Sequence, residues 1–323
     1  MESTLPASSL VEPLDFSGTG RGLGCIRDVA EGEELVAIPL DSCWWEGNAR
    51  ESEGVRELIE AGVTLSALDA TALQLLLERA KGRASARWLH VEELPVAYDS
   101  TLFWSEGELL ELTGSAWLDL ARRFTEEARA DWDKLQQALA SVESAAGFLE
   151  RHAVGWEEYL WAYATLKSRQ AEANVDGAKA RLMAPGFDLF NHSDALTPGS
   201  THSFDNERRV LVVRATHPHA KGEQAFISYG MAGNGSLLLG GGFVLPSNRF
   251  ESVEIALTSD IDERRLTLFM MSSPDVPPHT ELAQFEFTQM PTDEQVAGGG
   301  EDGTSHPVWA WLGLGGLGWA WVG

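Results

Sequence analysis

From Trp44 to about Gly155 the chain carries one long helical pattern, and strand-like segments lie only before and after it. That arrangement constrains the fold more than any single motif. Ser66 with Asp69 reads as a capping box, with aspartate in the place of the usual glutamate. Leu68, Ala72, Leu75, Leu76 and Arg79 then follow one helical face. Leu118, Phe124, Ala128, Trp132, Leu135 and Leu139 make a second stripe. Between them, Leu94-Pro95 to Trp104 is a loop rich in aromatics and proline. Stripes of this kind are core faces rather than cofactor contacts, so the block reads as a helical insert.

On the N-terminal side, Gly18 to Gly24 is a glycine-rich turn leading into Cys25-Ile26-Arg27. A second turn, Asp28 to Gly32, precedes Glu34-Leu35-Val36-Ala37-Ile38-Pro39, which gives two short strands of a small sheet. The glycines fit either a tight hairpin or a close approach of backbone amides to a ligand. No long helix follows, so this is not a dinucleotide-binding turn. On the C-terminal side, Trp156 to Arg169 is a helix ending in Lys167-Ser168-Arg169, where basic residues favour the helix dipole. Ala171 to Ala180 is polar and loop-like. Val210 to Val213 and Val253 to Leu257 look like strands. Past Ser272 the order signal fades, and Trp309 to Gly323 has neither helical nor strand periodicity; it reads as a disordered tail. The expected divisions are 1–45, 46–155, 156–257 and 258–323.

Two stretches combine an apolar run with an abrupt polar end: Asp188-Leu189-Phe190-Asn191-His192-Ser193 and Gly222-Glu223-Gln224-Ala225-Phe226-Ile227-Ser228-Tyr229-Gly230. Polar side chains at the end of a buried strand are where ligands tend to be held. Composition narrows the ligand class. The 323 residues are 44% hydrophobic and 23% charged, enough for about two domains with a sizeable core. A net charge of -25 leaves no basic surplus for a nucleic-acid backbone and suits a cationic partner, such as a lysine-bearing protein segment, or serves solubility alone. Two cysteines, Cys25 and Cys43, are too few for a disulfide framework or a cysteine-built zinc site. No secretory signal and no stretch of about 18 apolar residues is present, so no membrane partner is expected. The expected setting is intracellular, cytoplasmic or nuclear, with a chloroplast location open if the N-terminus is incomplete.

Arg21-Gly22-Leu23, Arg27-Asp28, Ser168-Arg169, Asp188 to Ser193 and Gly222 to Gly230 follow one another in the order of a SET-domain methyltransferase. With Thr101-Leu102-Phe103-Trp104 inside the helical insert, the chain resembles the branch typified by the RuBisCO large-subunit lysine methyltransferase, over roughly residues 18 to 257. The resemblance implies an α+β fold of small β-sheets with a pseudo-knot, interrupted by the insert. It implies S-adenosylmethionine as methyl donor, a protein with an accessible lysine as acceptor, a monomer and no metal. One relative methylates histidine, so the acceptor is not fixed by the resemblance.

By the same resemblance, Gly20, Arg21 and Gly22 lie along the donor, Arg169 pairs with its carboxylate, and Asn191 and His192 hold its adenine and amino-acid parts. Arg169, Asp188 and Tyr229 face the acceptor, and Tyr229 matches the catalytic tyrosine. Three features depart from the pattern. Gly241 stands where relatives place a tyrosine before a glycine-phenylalanine pair. Ala173 stands where those acting on RuBisCO carry a second arginine. The helical domain that normally follows is reduced to Arg264 to Met271. These departures predict a wide acceptor channel and weak transfer, with Phe243 or a tryptophan of the insert able to fill the gap. Two other readings stay open: a non-catalytic SET module that binds donor or protein, and a metal hydrolase using Asp188, His192, His202, His217 and His219, though their spacing fits no common site.

Overall fold

The computed structural model describes residues 4–251. The expected strand at Val253 to Leu257, the helix at Arg264 to Met271 and the terminal tail lie outside the described residues.

The chain starts with an antiparallel hairpin, β1 (Val11–Phe16) and β2 (Gly20–Cys25), in register from Val11 opposite Cys25 to Phe16 opposite Gly20. The glycine-rich stretch is therefore only half a turn. Gly18 and Gly20, at φ +97 and +68, reverse the chain. Gly22 and Gly24 lie inside the strand, because a side chain there has no room. A Cβ on Gly22 would come within 2.7 Å of the Asn191 amide nitrogen, and one on Gly24 within 2.5 Å of Leu14. The strand β3 (Glu34–Pro39) follows as expected.

The insert is helical throughout: α1 (Glu46–Glu51), α2 (Glu53–Glu60), α3 (Ala67–Lys81), α4 (Trp88–Glu93), α5 (Glu106–Leu110), α6 (Ala116–Ala140) and α7 (Phe148–Arg151). Next comes α8 (Trp156–Arg169). Helix α3 is buried from Asp69 through Leu76, more than one face, because it packs on both α1 and α8. Ser66 accepts from the Asp69 N–H at 3.0 Å, as a cap should. The Asp69 carboxylate serves another purpose: it accepts from the Tyr159 hydroxyl at 2.9 Å and so ties α3 to α8. On α6, Phe124, Ala128, Trp132, Leu135 and Leu139 are buried, while Leu118 is half-buried.

The segment after α8 departs from the loop expected there. It is a hairpin, β4 (Ala171–Val175) with β5 (Ala178–Leu182). Asp176 and Gly177, both at positive φ (+53 and +84), form its two-residue turn, which fits the twist of the flanking strands. Ala171, Ala173 and Val175 point inward at every second position. Then come β6 (Asn191–His192), β7 (His202–Asp205), β8 (Val210–Arg214), β9 (Gln224–Ile227) and α9 (Asn234–Gly241). The strands make three small sheets, ordered β1-β2-β9-β6, β3-β8-β7 and β4-β5.

Two apolar cores result. One lies among the helices around Trp44, Leu73, Phe124, Tyr159 and Tyr163; the other lies among the sheets around Leu23, Ile38, Phe190, Leu211 and Ile227. Each buried side chain of this size contributes roughly 1.5–3 kcal/mol. The seam between the cores includes the backbone pair Trp44–Met183, with both hydrogen bonds made at 2.8 and 3.0 Å. Cys25 and Cys43 are free and buried, and burial raises both thiols, Cys43 to about 12.

Candidate active site

Arg169 is the last residue of α8, so the helical core delivers it to the edge of the sheets. Its charge has a partner beyond the helix dipole. The guanidinium donates to the Asp188 backbone carbonyl at 2.8 Å and lies 3.3 Å from the Asp188 carboxylate. Asp188 sits in a 3-10 turn, Phe187–Leu189, with only 2% of its side chain exposed. Its other carboxylate oxygen accepts from the Gly186 N–H at 3.0 Å. A third partner is His90 of α4. The Trp44 indole N–H donates to His90 Nδ1 at 2.6 Å, so the ring proton is on Nε2, which donates to Asp188 at 3.1 Å. Burial opposes ionisation of Asp188, but the His90 N–H, the Arg169 charge and the Gly186 N–H outweigh it and hold the carboxyl at about 2. The carboxylate therefore orders Arg169 from within.

Asn191 and His192 reach the site because β6 runs parallel to β9, with Asn191 beside Phe226 and His192 beside Ile227. Tyr229 follows β9 two residues on. Its N–H donates to His192 Nδ1 at 3.0 Å, and the two rings stack with centroids 5.0 Å apart. The imidazole proton is then on Nε2, which is buried and makes no hydrogen bond within the chain. Burial lowers the His192 pKa, so the ring is neutral. The Tyr229 hydroxyl donates to the Phe190 carbonyl at 2.7 Å, and burial pushes the phenol up to about 12 despite Arg169 nearby. The Asn191 amide donates to the Arg21 carbonyl at 3.1 Å and the Thr19 carbonyl at 3.4 Å, which fixes the end of the first hairpin beside it. Gln224 accepts from Thr19 at 2.8 Å, while its own amide nitrogen is buried without a partner.

Two cavities meet here. One, of about 230 Å³, is lined by Ser168, Arg169, Asp188, His202, Ser228 and Tyr229 among others. The second, of about 270 Å³, is lined by Arg21, Glu93, Tyr98, Arg169, Asn191, Tyr229 and Phe243 among others. Ser168, Arg169, Asp188 and Tyr229 line both. Arg21 pairs with Glu93 of α4 at 3.2 Å across the second. The Tyr98 hydroxyl donates to Thr165 at 2.8 Å, and its ring lies 6.0 Å from the Arg169 guanidinium.

The gap expected at Gly241 is filled. Gly241 ends α9 without a positive φ, and a Cβ there would lie 2.6 Å from the Phe243 ring. Gly242, at φ +72, turns the chain back so that Phe243 covers Gly241 and meets Tyr229 edge-on at 6.2 Å. The glycine run is not slack there, since a Cβ on Gly242 would strike the Asp99–Ser100 backbone at 2.8 and 2.9 Å. Ala173 is buried in β4, inside the sheet core rather than at the site.

Gly20, Gly22, Arg21, Asn191, His192, Arg169, Asp188 and Tyr229 thus lie in one neighbourhood. The five-residue metal reading fails. Asp188 is engaged by Arg169 and His90, His192 accepts from Tyr229, and His202 packs edge-on against Phe187 at 5.0 Å. Among the described residues the one group of three converging ligand side chains is His217, His219 and Glu223. Sequence reasoning missed His90, Glu93, Tyr98 and Gln224. His90 had a signal, a lone imidazole between Leu89 and Val91, but its partner Asp188 is 98 positions away.

No family model matches the chain. It is 26% identical over 258 residues to the chloroplastic RuBisCO large-subunit N-methyltransferase of Nicotiana tabacum, covering 76% of this chain and 50% of that protein. It is 29% identical over 272 residues to the chloroplastic fructose-bisphosphate aldolase-lysine N-methyltransferase of Arabidopsis thaliana, covering 81% and 53%. With the actin-histidine N-methyltransferase of Drosophila melanogaster it shares 26% identity over 276 residues, covering 78% and 50%. The chain spans about half the length of these curated relatives. Its structure resembles the SET domain of LSMT bound to lysine and AdoHcy, with TM-score 0.65 and 25% identity over 75% of this chain and 54% of that one. Rubisco LSMT bound to AdoMet gives TM-score 0.63 and 26% identity over 75% and 53%. The fold is the SET-domain fold, and the resemblance seen in the sequence motifs extends across it.

Proposed function

We propose that the chain is an S-adenosylmethionine-dependent protein-lysine N-methyltransferase. One observation carries this reading: Arg169, Asp188 and Tyr229 line two cavities at once, so a donor on one side and an acceptor on the other would meet at the phenol. The residues fit a donor in the second cavity. Arg21, Arg169 and Asn191 line it, and the buried Arg169 Nε has no hydrogen-bond partner within the chain. Arg169 would take the donor carboxylate, for which a guanidinium fork is suited. Arg21 and Asn191 would line the rest, with His192 next to Asn191 in β6. When bound, the donor supplies an electrophilic methyl group on a sulfonium.

The acceptor lysine enters the first cavity. Its pKa of about 10.4 must fall before the nitrogen can attack. A channel that excludes water lowers that value by desolvation. Tyr229 is not the base, because its phenol is itself protonated up to about 12. Its hydroxyl, held by the Phe190 carbonyl, instead fixes a polar oxygen at the junction and positions the nitrogen for in-line displacement. The proton leaves through solvent. The partner is a protein segment bearing an accessible lysine, attracted by the chain's acidic surplus. No helix among the described residues is long and apolar enough to cross a membrane.

Incubation with methyl-labelled donor and a protein extract, followed by hydrolysis, should yield methyl-lysine. Tyr229→Phe should lower turnover strongly and leave donor affinity nearly unchanged, because the hydroxyl acts mainly in the transition state. Label on histidine would move the acceptor class. Donor binding without any transfer would make the chain a non-catalytic module and overturn the proposal.

A further inference from the structure

The turn between β8 and β9 carries His217-Pro218-His219 and, four residues on, Glu223. None of these three side chains lines either cavity of the candidate active site. Their ligating atoms all lie within 4.8 Å of one another. Glu223 Oε1 is 3.6 Å from His219 Nδ1 and 4.0 Å from His217 Nε2. Those separations are too long for hydrogen bonds. They are close to the spacing of about 3.4 Å between ligand atoms around a tetrahedral zinc ion with bonds near 2.1 Å.

The three groups are also held in the form and direction that metal binding needs. His219 has only 3% of its side chain exposed, and its Nδ1 is buried without a hydrogen-bond partner. A buried polar atom with no partner costs free energy unless something binds it. Its backbone is fixed by two hydrogen bonds to Val29, both 2.9 Å. The His217 Nδ1 lies 3.2 Å from the Thr216 hydroxyl, which leaves Nε2 to face Glu223. Glu223 Oε2 accepts from the Ala220 N–H at 2.8 Å, so Oε1 is the oxygen turned toward the rings. The two rings lie 4.2 Å apart. Asp28 and Lys221 are charged neighbours of the turn, and the Asp28 carboxylate accepts from the Lys221 N–H at 2.9 Å.

We propose that His217, His219 and Glu223 form a binding site for one divalent transition-metal ion of the zinc class. Two imidazoles and one carboxylate suit zinc, nickel or copper, whereas calcium and magnesium prefer all-oxygen shells. The fourth position falls to water. Closing the remaining distance, up to about 1.4 Å at the widest pair, falls to His217 and Glu223, which are exposed and can rotate. The ion closes the turn on itself beside the first hairpin, to which Gly222 donates at the Cys25 carbonyl at 2.7 Å and from which Cys25 donates to the Glu223 carbonyl at 2.9 Å.

The test uses the tag-free full chain, titrated with zinc by calorimetry and with cobalt by visible absorption. One equivalent per chain is expected, with the absorption of a four-coordinate cobalt ion. His217→Ala and Glu223→Gln, both at exposed positions, should each weaken binding by at least roughly tenfold while leaving the metal-free unfolding midpoint unchanged. Added zinc should raise the midpoint of the wild type and not of either variant. No zinc or cobalt binding, or binding equally strong in wild type and both variants, overturns the proposal.

Discussion

Replacing Asp188 by Asn keeps the shape of the side chain and removes its charge. In the wild type one carboxylate oxygen faces two donors, His90 Nε2 at 3.1 Å and Arg169 at 3.3 Å, and the other faces the Gly186 N–H at 3.0 Å. An amide has one acceptor end. If its nitrogen takes the first place, three donors point at one another; if it takes the second, the Gly186 N–H is orphaned and Arg169 loses its counter-charge in either case. The carboxyl falls from 3.8 to about 2 on folding, which is worth about 2 kcal/mol at neutral pH. An orphaned buried donor adds roughly 1–3 kcal/mol. Asp188→Asn should therefore cost about 3 kcal/mol in urea unfolding at pH 7. The folded-state pKa lies below the unfolded one, so the charge contribution is full above about pH 4 and vanishes as pH falls toward about 2. The gap between variant and wild type should shrink over that window. Equal stabilities at pH 7, or a gap that does not narrow on acidification, would show that the carboxylate does not hold the junction.

Asn191→Ala removes the amide that fixes the Thr19–Arg21 backbone, and calorimetry should register a loss of donor affinity of about tenfold or more, from roughly 1–3 kcal/mol of unpaired polar groups. Phe243→Ala opens the space over Gly241 and takes away a wall of the second cavity and the ring edge beside Tyr229, so calorimetry should show weaker donor binding and single-turnover rates on a lysine acceptor should fall with it. Gly241→Tyr, which has an ordinary backbone φ, should restore that wall only together with Phe243→Ala, since in the wild type the Phe243 ring blocks its Cβ at 2.6 Å; a rate gain from Gly241→Tyr alone would refute this account of the wall.

The elements legible in the sequence are those specified by local pattern. Helix α8 ends where Lys167-Ser168-Arg169 end it, and the α6 stripe is the buried face, because a helix writes its core side into spacings of three and four. The hairpin β4-β5 looks like a loop in the sequence because its inward residues are two alanines and a valine among charges; the Asp176-Gly177 pair is its one turn signal. The glycines of β2 looked like a turn because the reason for them, the Asn191 and Gln224 side chains, lies far along the chain. The site divides the same way. Asn191, His192 and Tyr229 stand out because each ends an apolar run. His90 and Glu93 sit in a helix of the insert, and their roles arise only when α4 packs against the seam.

Gly241 shows what a position-by-position reading leaves out. A missing aromatic at one position implies an open wall only if the space is supplied by that position alone. Here the αL turn at Gly242 sends the chain back on itself, and the Asp99–Ser100 backbone leaves it no other path. Phe243 is thereby placed over Gly241 as a direct consequence of the two glycines. The small residue and the ring form one device: glycine removes the Cβ that would collide, and the ring uses the space. Enlarging the first without removing the second adds a collision rather than a wall. The wall of the second cavity beside Tyr229 is therefore a property of the Gly241–Phe243 pair, and a double-mutant cycle on the two should give a coupling far from zero, of order 0.5–3 kcal/mol.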